Sequence, residues 1–167
     1  RGKTGFCSMI ALLWNGKPVN AWIWQPLTKI LFYASQEKGA FRISFDSEVR
    51  LALKRRPIIV DHMRGSGNAL GLMEPKKTLL QTRLKNLIGR KFHGSAGIQA
   101  CLIASGKEDF LVHGNSNPWD HAPVDLLCRE AGGHAAMMDN GERFHASMAA
   151  PFMAASSYKG WQSLVQV

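Results

Sequence analysis

Short apolar blocks separated by turn signals fill the first third of the chain, and a helical period takes over after it. Residues 6–14, FCSMIALLW, form an apolar block of strand length. NGKP at 15–18 is a turn signal, and VNAWIWQP returns as a second strand that Pro26 ends. KILFYASQ is a third strand, closed by the turn around Lys38-Gly39. These segments predict an antiparallel meander with short loops. RPIIVDHM is a shorter strand candidate, and RGSGNALG reads as a flexible loop rich in Gly and Ser.

From Pro75 to Ile88 the spacing of Leu79, Leu80, Leu84, Leu87 and Ile88 predicts a helix with one apolar face. ACLIA lies in a further helix, DFLVH in a strand, and Asp120 to Ala131 in a helix stopped by Gly132-Gly133. HAAMMDNGERF predicts a hairpin around Asn140-Gly141, PFMAASS a strand, and YKGWQSLVQV a short terminal helix. Strands followed by alternating helices and strands indicate a layered α/β arrangement. No internal repeat or low-complexity linker interrupts it.

A chain of 167 residues with 46% hydrophobic and 20% charged positions has the composition of a globular domain. Its longest apolar runs are far too short to span a bilayer, and the start lacks the apolar core of a signal peptide. Cys7, Cys101 and Cys128 are odd in number, widely spaced and set among apolar neighbours, which predicts reduced core thiols in a cytosolic protein. The net charge of +9 gathers at Lys54-Arg55-Arg56, Lys76-Lys77, Arg83-Lys85 and Arg90-Lys91. Such a surface attracts anions, phosphorylated metabolites or nucleic acid alike, and it also fits a plain solvated face. No RNP-type aromatic motif, helix-turn-helix signature or zinc-finger spacing accompanies it.

Three places can carry chemistry. In NPWDHAPVDLLCREAGG (117–133), Val124, Leu127, Cys128 and Ala131 fall at i, i+3, i+4 and i+7, so one side of the helix is buried. Asp120 suits the N-cap, a role worth ~1 kcal/mol, and Pro123 then falls at the third helical position, where its missing N–H costs nothing. A helix beginning at Asn117 would leave Pro123 in its interior. The second reading of Asp120 is a carboxylate at a helix mouth, flanked by Trp119 and Pro118, that ligates a divalent cation such as Mg²⁺.

The second place is HGSAGIQACLIASGK (93–107). Ser95 caps a helix there, Gly94 and Gly97 clear space around its start, and the free N–H groups suit a phosphate or a sugar-like hydroxyl. The same small residues also fit ordinary tight packing. The third is the histidine set, His62, His93, His113, His121, His134 and His145. No pair has a ligand spacing such as the i, i+4 of H-E-x-x-H, so these read as surface or packing residues rather than general bases.

WDHAPVDLLCREAGG resembles the C-terminal signature of the inositol monophosphatase family: Trp-Asp, small residues, an apolar helix, then Glu-Ala-Gly-Gly. GSAGIQACLIASGKEDFLV is similar to the family's upstream segment, and Asp109 and Asp120 stand eleven positions apart, the family's usual distance. FCSMIALLWNGKPVNAWIWQPLTKILFYASQEKGAF looks like its hairpin strands. The resemblance runs over nearly the whole chain and implies the layered α/β sandwich of the inositol monophosphatase and sugar phosphatase type, in its later portion.

The resemblance further implies a Mg²⁺-dependent phosphomonoester hydrolase, lithium-sensitive, cytoplasmic and homodimeric, with no membrane attachment. One ion would generate hydroxide and another neutralise the leaving alkoxide in an in-line displacement, with Asp120 on the leaving-group side as a metal and substrate ligand. Gly94, Ser95 and Ala96 match the step that contacts substrate hydroxyls. His113 stands where inositol-specific members carry a Glu that hydrogen-bonds the ring, so inositol phosphate does not carry over directly. Nucleotide 3′-phosphates, histidinol phosphate and sugar phosphates are the other family substrates.

The family's acidic helix and its Asp-Pro-hydrophobic-Asp-Gly-Thr loop have no counterpart here, and RGKTGFCSMI resembles the family's segment just after that loop. The expectation is therefore one incomplete domain over 1–167, a meander at 1–60 and alternating elements at 75–167, lacking part of the active site. The alternative is a non-catalytic basic module of the same fold that binds an acidic partner or nucleic acid.

Overall fold

The computed structural model describes residues 5–54, 57–87, 89–90 and 93–165. Ile88, Arg55, Arg56 and Lys91, named above in a helix face and two basic clusters, lie outside the described residues, as do Gln166 and Val167 of the terminal helix.

The first sheet is the expected meander, carried further than the apolar pattern suggests. Strands β1 (Ser8–Trp14), β2 (Lys17–Gln25), β3 (Ile30–Ser35), β4 (Gly39–Ser44) and β5 (Ser47–Leu51) follow one another in antiparallel order. Asn15 and Gly16 both have positive φ, 46° and 72°, the backbone twist that a tight hairpin between right-twisted strands requires. Alternation then assigns faces. Ala21, Ile23, Phe32, Ala34, Ala40 and Leu51 point inward and are buried, whereas Ile10, Trp22, Tyr33 and Phe41 share one cross-strand row on the opposite side.

The second sheet has the order β7 (Gly89–Arg90), β6 (Arg64–Gly67), β8 (Phe110–His113), β10 (Phe152–Ala155), β9 (His134–Met137). Two helices cover the inner face of the first sheet. These are α2 (Ala96–Ala104) and α3 (Pro118–Glu130), and α3 lies between the two sheets, touching β1–β4 on one side and β9 and β10 on the other. Gly97 lets α2 approach β1 closely: a Cβ there would sit 2.4 Å from Met9 Sδ and 2.6 Å from Cys7 Sγ. The far face of the second sheet packs under α1 (Lys76–Asn86) and α4 (Tyr158–Val165), burying Leu80, Leu84, Phe110, Val112, Trp161 and Leu164. The layers therefore run sheet, helices, sheet, helices, the layered α/β sandwich expected. No described helix is long and apolar enough to cross a membrane. All three cysteines are free, and Cys101 and Cys128 are buried, with burial pushing both thiols up.

Four local expectations are corrected. Residues 64–71 do not form a flexible loop throughout, because 64–67 are β6, an interior strand of the second sheet. Gly65 and Gly67 are there because β8 lies against them: a Cβ on Gly65 would meet the Phe110 carbonyl oxygen at 2.1 Å, and one on Gly67 would meet Val112 Cβ at 2.5 Å. Nor is 57–63 a strand. Val60–His62 close a 3-10 turn through the N–H groups of His62 and Met63, which bond to the Ile59 and Val60 carbonyls and not to a neighbouring strand. In α1 Leu80 and Leu84 are buried while Leu79 is exposed, since adjacent residues on a helix lie about 100° apart. Finally, the chain does fold back around Asn140-Gly141, with the Gly141 N–H donating to the Met137 carbonyl at 3.0 Å and the Met137 N–H to the Glu142 carbonyl at 2.8 Å, but this turn is not continued as a strand pair, and the strand partner of β9 is β10.

Candidate functional site

Helix α3 begins three residues earlier than expected, so Asp120 is not its cap. Pro118 takes the first helical position, where a fixed φ and a missing N–H are both tolerated, and Asn117 is the cap residue with an extended backbone. Asn117 makes no side-chain cap bond. Its backbone carbonyl accepts the N–H groups of Asp120 at 3.1 Å and His121 at 2.9 Å, and its own N–H donates to His121 Nδ1 at 2.9 Å. His121 thus reaches back over the first turn and replaces the cap expected of Asp120. Pro123 does fall inside the helix, and one intrahelical bond, to the Trp119 carbonyl, is given up. Asp120 is left free to face outward.

It faces a cavity of about 570 Å³. Gly94, Ser95, Ala96, His113 and Asp120, far apart in sequence, all line it. Ser95 is the expected cap of α2, its Oγ accepting from the Ile98 N–H at 3.4 Å, while Gly94 takes φ +73°. The first N–H groups of such a helix have no intrahelical partner. Together with the hydroxyl they present donors at the cavity wall. Cys7 and Met9 at the start of β1 form another wall, and Cys7 Sγ lies 3.4 Å from Ser95 Oγ.

His113 and His121 meet at the end of β8, Nδ1 to Nε2 at 2.7 Å with rings nearly perpendicular. His121 Nδ1 lies within bonding distance of both the Asn117 N–H, at 2.9 Å, and the Asn117 carbonyl oxygen, at 3.0 Å, so both tautomers of the His113–His121 pair satisfy their neighbours. Burial, reinforced by the neighbouring His121, lowers the His113 pKa to about 4, and burial also lowers that of His121. Both rings are neutral at physiological pH. His121 is only 2% exposed and packs edge-on against Phe152, so the packing role read from sequence holds for it.

Local sequence reasoning misses Asn68, Gln99, Asn115 and Asn117 as cavity residues. Gln99 is buried and donates from Nε2 to Ser66 Oγ on β6. Asn68 Oδ1 accepts from the N–H groups of Leu70, at 3.1 Å, and Gly114, at 3.3 Å, tying the loop after β6 to the end of β8. These contacts depend on the parallel pairing of β6 with β8, which no local pattern announces. Asp109, in contrast, is buried away from the cavity, where its carboxylate accepts the Arg64 N–H at 2.7 Å.

The carboxylates of α3 divide their work. Asp125 is fully buried and held by Arg129 at 2.7 Å, and burial raises its pKa against the opposing pull of Arg129. Glu130 accepts the N–H groups of Glu37 and Gly39, at 3.0 and 2.9 Å, and so fastens the β3–β4 turn to the helix. Only Asp120 opens to the cavity. Mg²⁺ takes near-octahedral oxygen coordination, and the described residues contain no group of three His, Cys, Asp or Glu able to hold a metal. The residues present do not by themselves fit such an ion.

The family model described as "Inositol monophosphatase family" matches residues 1–165. A protein named Nus factor SuhB from Xylella fastidiosa is 29% identical over 141 residues, which cover 80% of this chain and 48% of the relative. Inositol monophosphatase 2 of Saccharomyces cerevisiae is 31% identical over 139 residues, covering 76% and 46%. The chain thus spans about half the length of the curated relatives it matches. A solved inositol monophosphatase from Zymomonas mobilis superposes with a TM-score of 0.83 at 16% identity, over 98% of this chain and 62% of that one. A further solved relative, an IMPase/NADP phosphatase complexed with Mg²⁺ and phosphate, gives 0.75 at 18% identity over 96% and 59%. At these identities the likeness is one of fold.

Proposed function

The chain belongs to the inositol monophosphatase family, and from that premise we propose that it is the later portion of a metal-dependent phosphomonoester hydrolase acting on a small phosphorylated metabolite. The observation that carries this reading is the convergence of Gly94–Ala96, His113 and Asp120 on one cavity from three separate elements. N–H donors at the start of α2 hold anionic or hydroxyl oxygens of the ligand. His113 stands where inositol-specific members carry a carboxylate, and a neutral imidazole there can donate as well as accept a hydrogen bond. Asp120 is the residue that would hold Mg²⁺ here, as one oxygen ligand of several, and the described residues supply no cluster to complete the set.

Solved relatives are described with inositol monophosphate, 2′-AMP or NADP bound, so the fold takes phosphates on quite different carriers. Titrating inositol 1-phosphate and 2′-AMP into the chain, followed by amide NMR shifts, is the direct test. Shifts confined to residues 94–96, 113 and 120 are expected with one or both ligands. Hydrolysis in excess Mg²⁺ should stay near background. Absence of any cavity shift at millimolar ligand would defeat the phosphatase reading, and turnover equal to that of a complete relative would defeat the incomplete site.

A second reading draws on the basic surface. Lys76, Lys77, Arg83 and Lys85 all lie on α1, on the side of the molecule away from the first sheet, and one relative is named as a Nus factor. Binding of RNA that weakens steeply between 50 and 200 mM salt, with no ligand shifts in the cavity, would favour a non-catalytic module.

A further inference from the structure

Among the residues that line the cavity, Gln99 and His121 are the two polar side chains that are buried, each 2% exposed, so they lie at its floor. Both ring nitrogens of His121 are taken, Nδ1 by the Asn117 backbone and Nε2 by His113 Nδ1. Gln99 is engaged at one end only. Its Nε2 meets Ser66 Oγ on β6, and among the described residues its Oε1 has no partner. The described side-chain polar atoms that are both enclosed and unpaired are Glu108 Oε2 and Asp125 Oδ1. Gln99 Oε1 is not one of them, so it opens into the cavity that the residue lines.

Gln99 follows Ser95 by four positions on α2, so the two share one face of the helix, roughly 5.4 Å apart along its axis. Ser95 stands at the helix start, where free N–H groups suit the oxygens of a phosphate. Gln99 lies one turn further in. A tie from α2 to β6 uses one end of its amide, and the other end needs a partner from within the cavity. Whichever end Ser66 holds, the remaining one is uncharged. A hydroxyl both donates and accepts, so it satisfies either end, whereas a phosphate oxygen satisfies only an N–H. At about 570 Å³ the cavity has room for a phosphate and a ring together.

We propose that Gln99 is a specificity-determining residue. Ser66 holds one end of its amide, and the other end meets a hydroxyl of the ligand's carrier, one helical turn from the phosphate seated at the start of α2. This inference rests on the phosphatase reading above, because it takes the cavity to be the ligand site. It makes affinity depend on the carrier's hydroxyls as well as on the phosphate. It also gives β6 a part in selecting the ligand, since Ser66 fixes the amide without lining the cavity itself. A side chain fixed before the ligand arrives loses less freedom on binding, so the clamp strengthens the preference.

The test compares inositol 1-phosphate with cyclohexyl phosphate, which keeps the ring and the phosphate but has no hydroxyls on the ring. Amide NMR titrations of the chain and of its Gln99→Met and Ser66→Ala variants give the affinities. The parent should bind inositol 1-phosphate at least about tenfold tighter, because a site that bonds a hydroxyl rejects the analogue lacking it. Gln99→Met, similar in volume, should bring the two ligands within about twofold while leaving cyclohexyl phosphate unchanged. Ser66→Ala releases the amide and should narrow the preference by roughly threefold. A preference that survives Gln99→Met overturns the proposal. So does an equal loss for both ligands, the mark of a packing role. If Gln99→Met does not fold, Ser66→Ala decides alone, and an unchanged preference overturns the proposal. Equal binding of the two phosphates by the parent, with shifts in the cavity, overturns the role of Gln99 and leaves the phosphatase reading standing. No cavity shift with either ligand overturns both.

Discussion

The two sheets solve the same problem by different means. The first is a regular antiparallel meander, each strand next to its sequence neighbour, with one face buried and one apolar face bare. The second is mixed, draws its strands from five separated parts of the chain, and is covered on both faces. The regular sheet supplies a surface, and the irregular one supplies most of the cavity, because only non-neighbouring strands bring distant loops together. Parallel pairing of β6 with β8 places the Asn68 loop beside Gly114 and His113, and antiparallel pairing of β8 with β10 seats His121 on Phe152. Irregularity in the sheet and chemistry in the cavity have one cause.

That contrast breaks most visibly at Gly65. Replacing it with Val drives a side chain into the Phe110 carbonyl, 2.1 Å from the Cβ position, in a strand paired on both sides. The loss should be about 4 kcal/mol or more, at the extreme of single substitutions. Ile10→Thr on the bare face of the other sheet should cost within about 0.5 kcal/mol. Urea denaturation of both variants measures the gap. Equal losses would mean that the second sheet tolerates what its packing forbids.

Legibility follows the same division. The meander is readable because its apolar blocks and the Asn15-Gly16 turn are local signals, and their pairing needs no long-range knowledge. β6 reads as a loop because its glycines carry no side-chain pattern; what selects them is a neighbour more than forty residues away. At the site, Ser95 as cap and the gathering of Gly94–Ala96, His113 and Asp120 agree with the motif spacing. The start of α3 does not follow from local rules. Asp120 looks like the better cap, but Pro118 at the first position and His121 folding back on Asn117 move the helix start, and that frees the carboxylate.

Helix α3 joins the two sheets, and Arg129→Ala tests how firmly. Removing the guanidinium leaves Asp125 buried with its one strong partner gone, and Oδ1 already has none. A loss of about 3 kcal/mol is expected, since a stranded buried charge costs more than the pair contributes. Asp125→Asn combined with Arg129→Ala should recover part of it, because a neutral amide carries a smaller desolvation cost. A thermal scan of the three variants decides. If Arg129→Ala alone is within about 1 kcal/mol of the parent, the carboxylate is not held charged in the folded protein.

The effect at the end of β8 is smallest near neutral pH and grows as pH falls. Burial, with His121 alongside, lowers the His113 pKa from 6.5 to about 4. The unfolded chain therefore takes up a proton at His113 as pH falls below about 6.5, and the folded protein does so only near 4. Between those values the unfolded state binds more protons, so stability is full above about 6.5 and is lost as pH falls towards 4, by on the order of 3 kcal/mol from this group. His121 and Asp120 face the same region, and acid weakens other contacts too, so the parent curve alone does not isolate His113. The slope difference between parent and His113→Gln does. Gln keeps a donor and an acceptor but cannot titrate, so its stability should fall less steeply over pH 6.5–4 while matching the parent at pH 7.5 within about 1 kcal/mol. Parallel curves would mean that His113 accepts its proton as readily folded as unfolded.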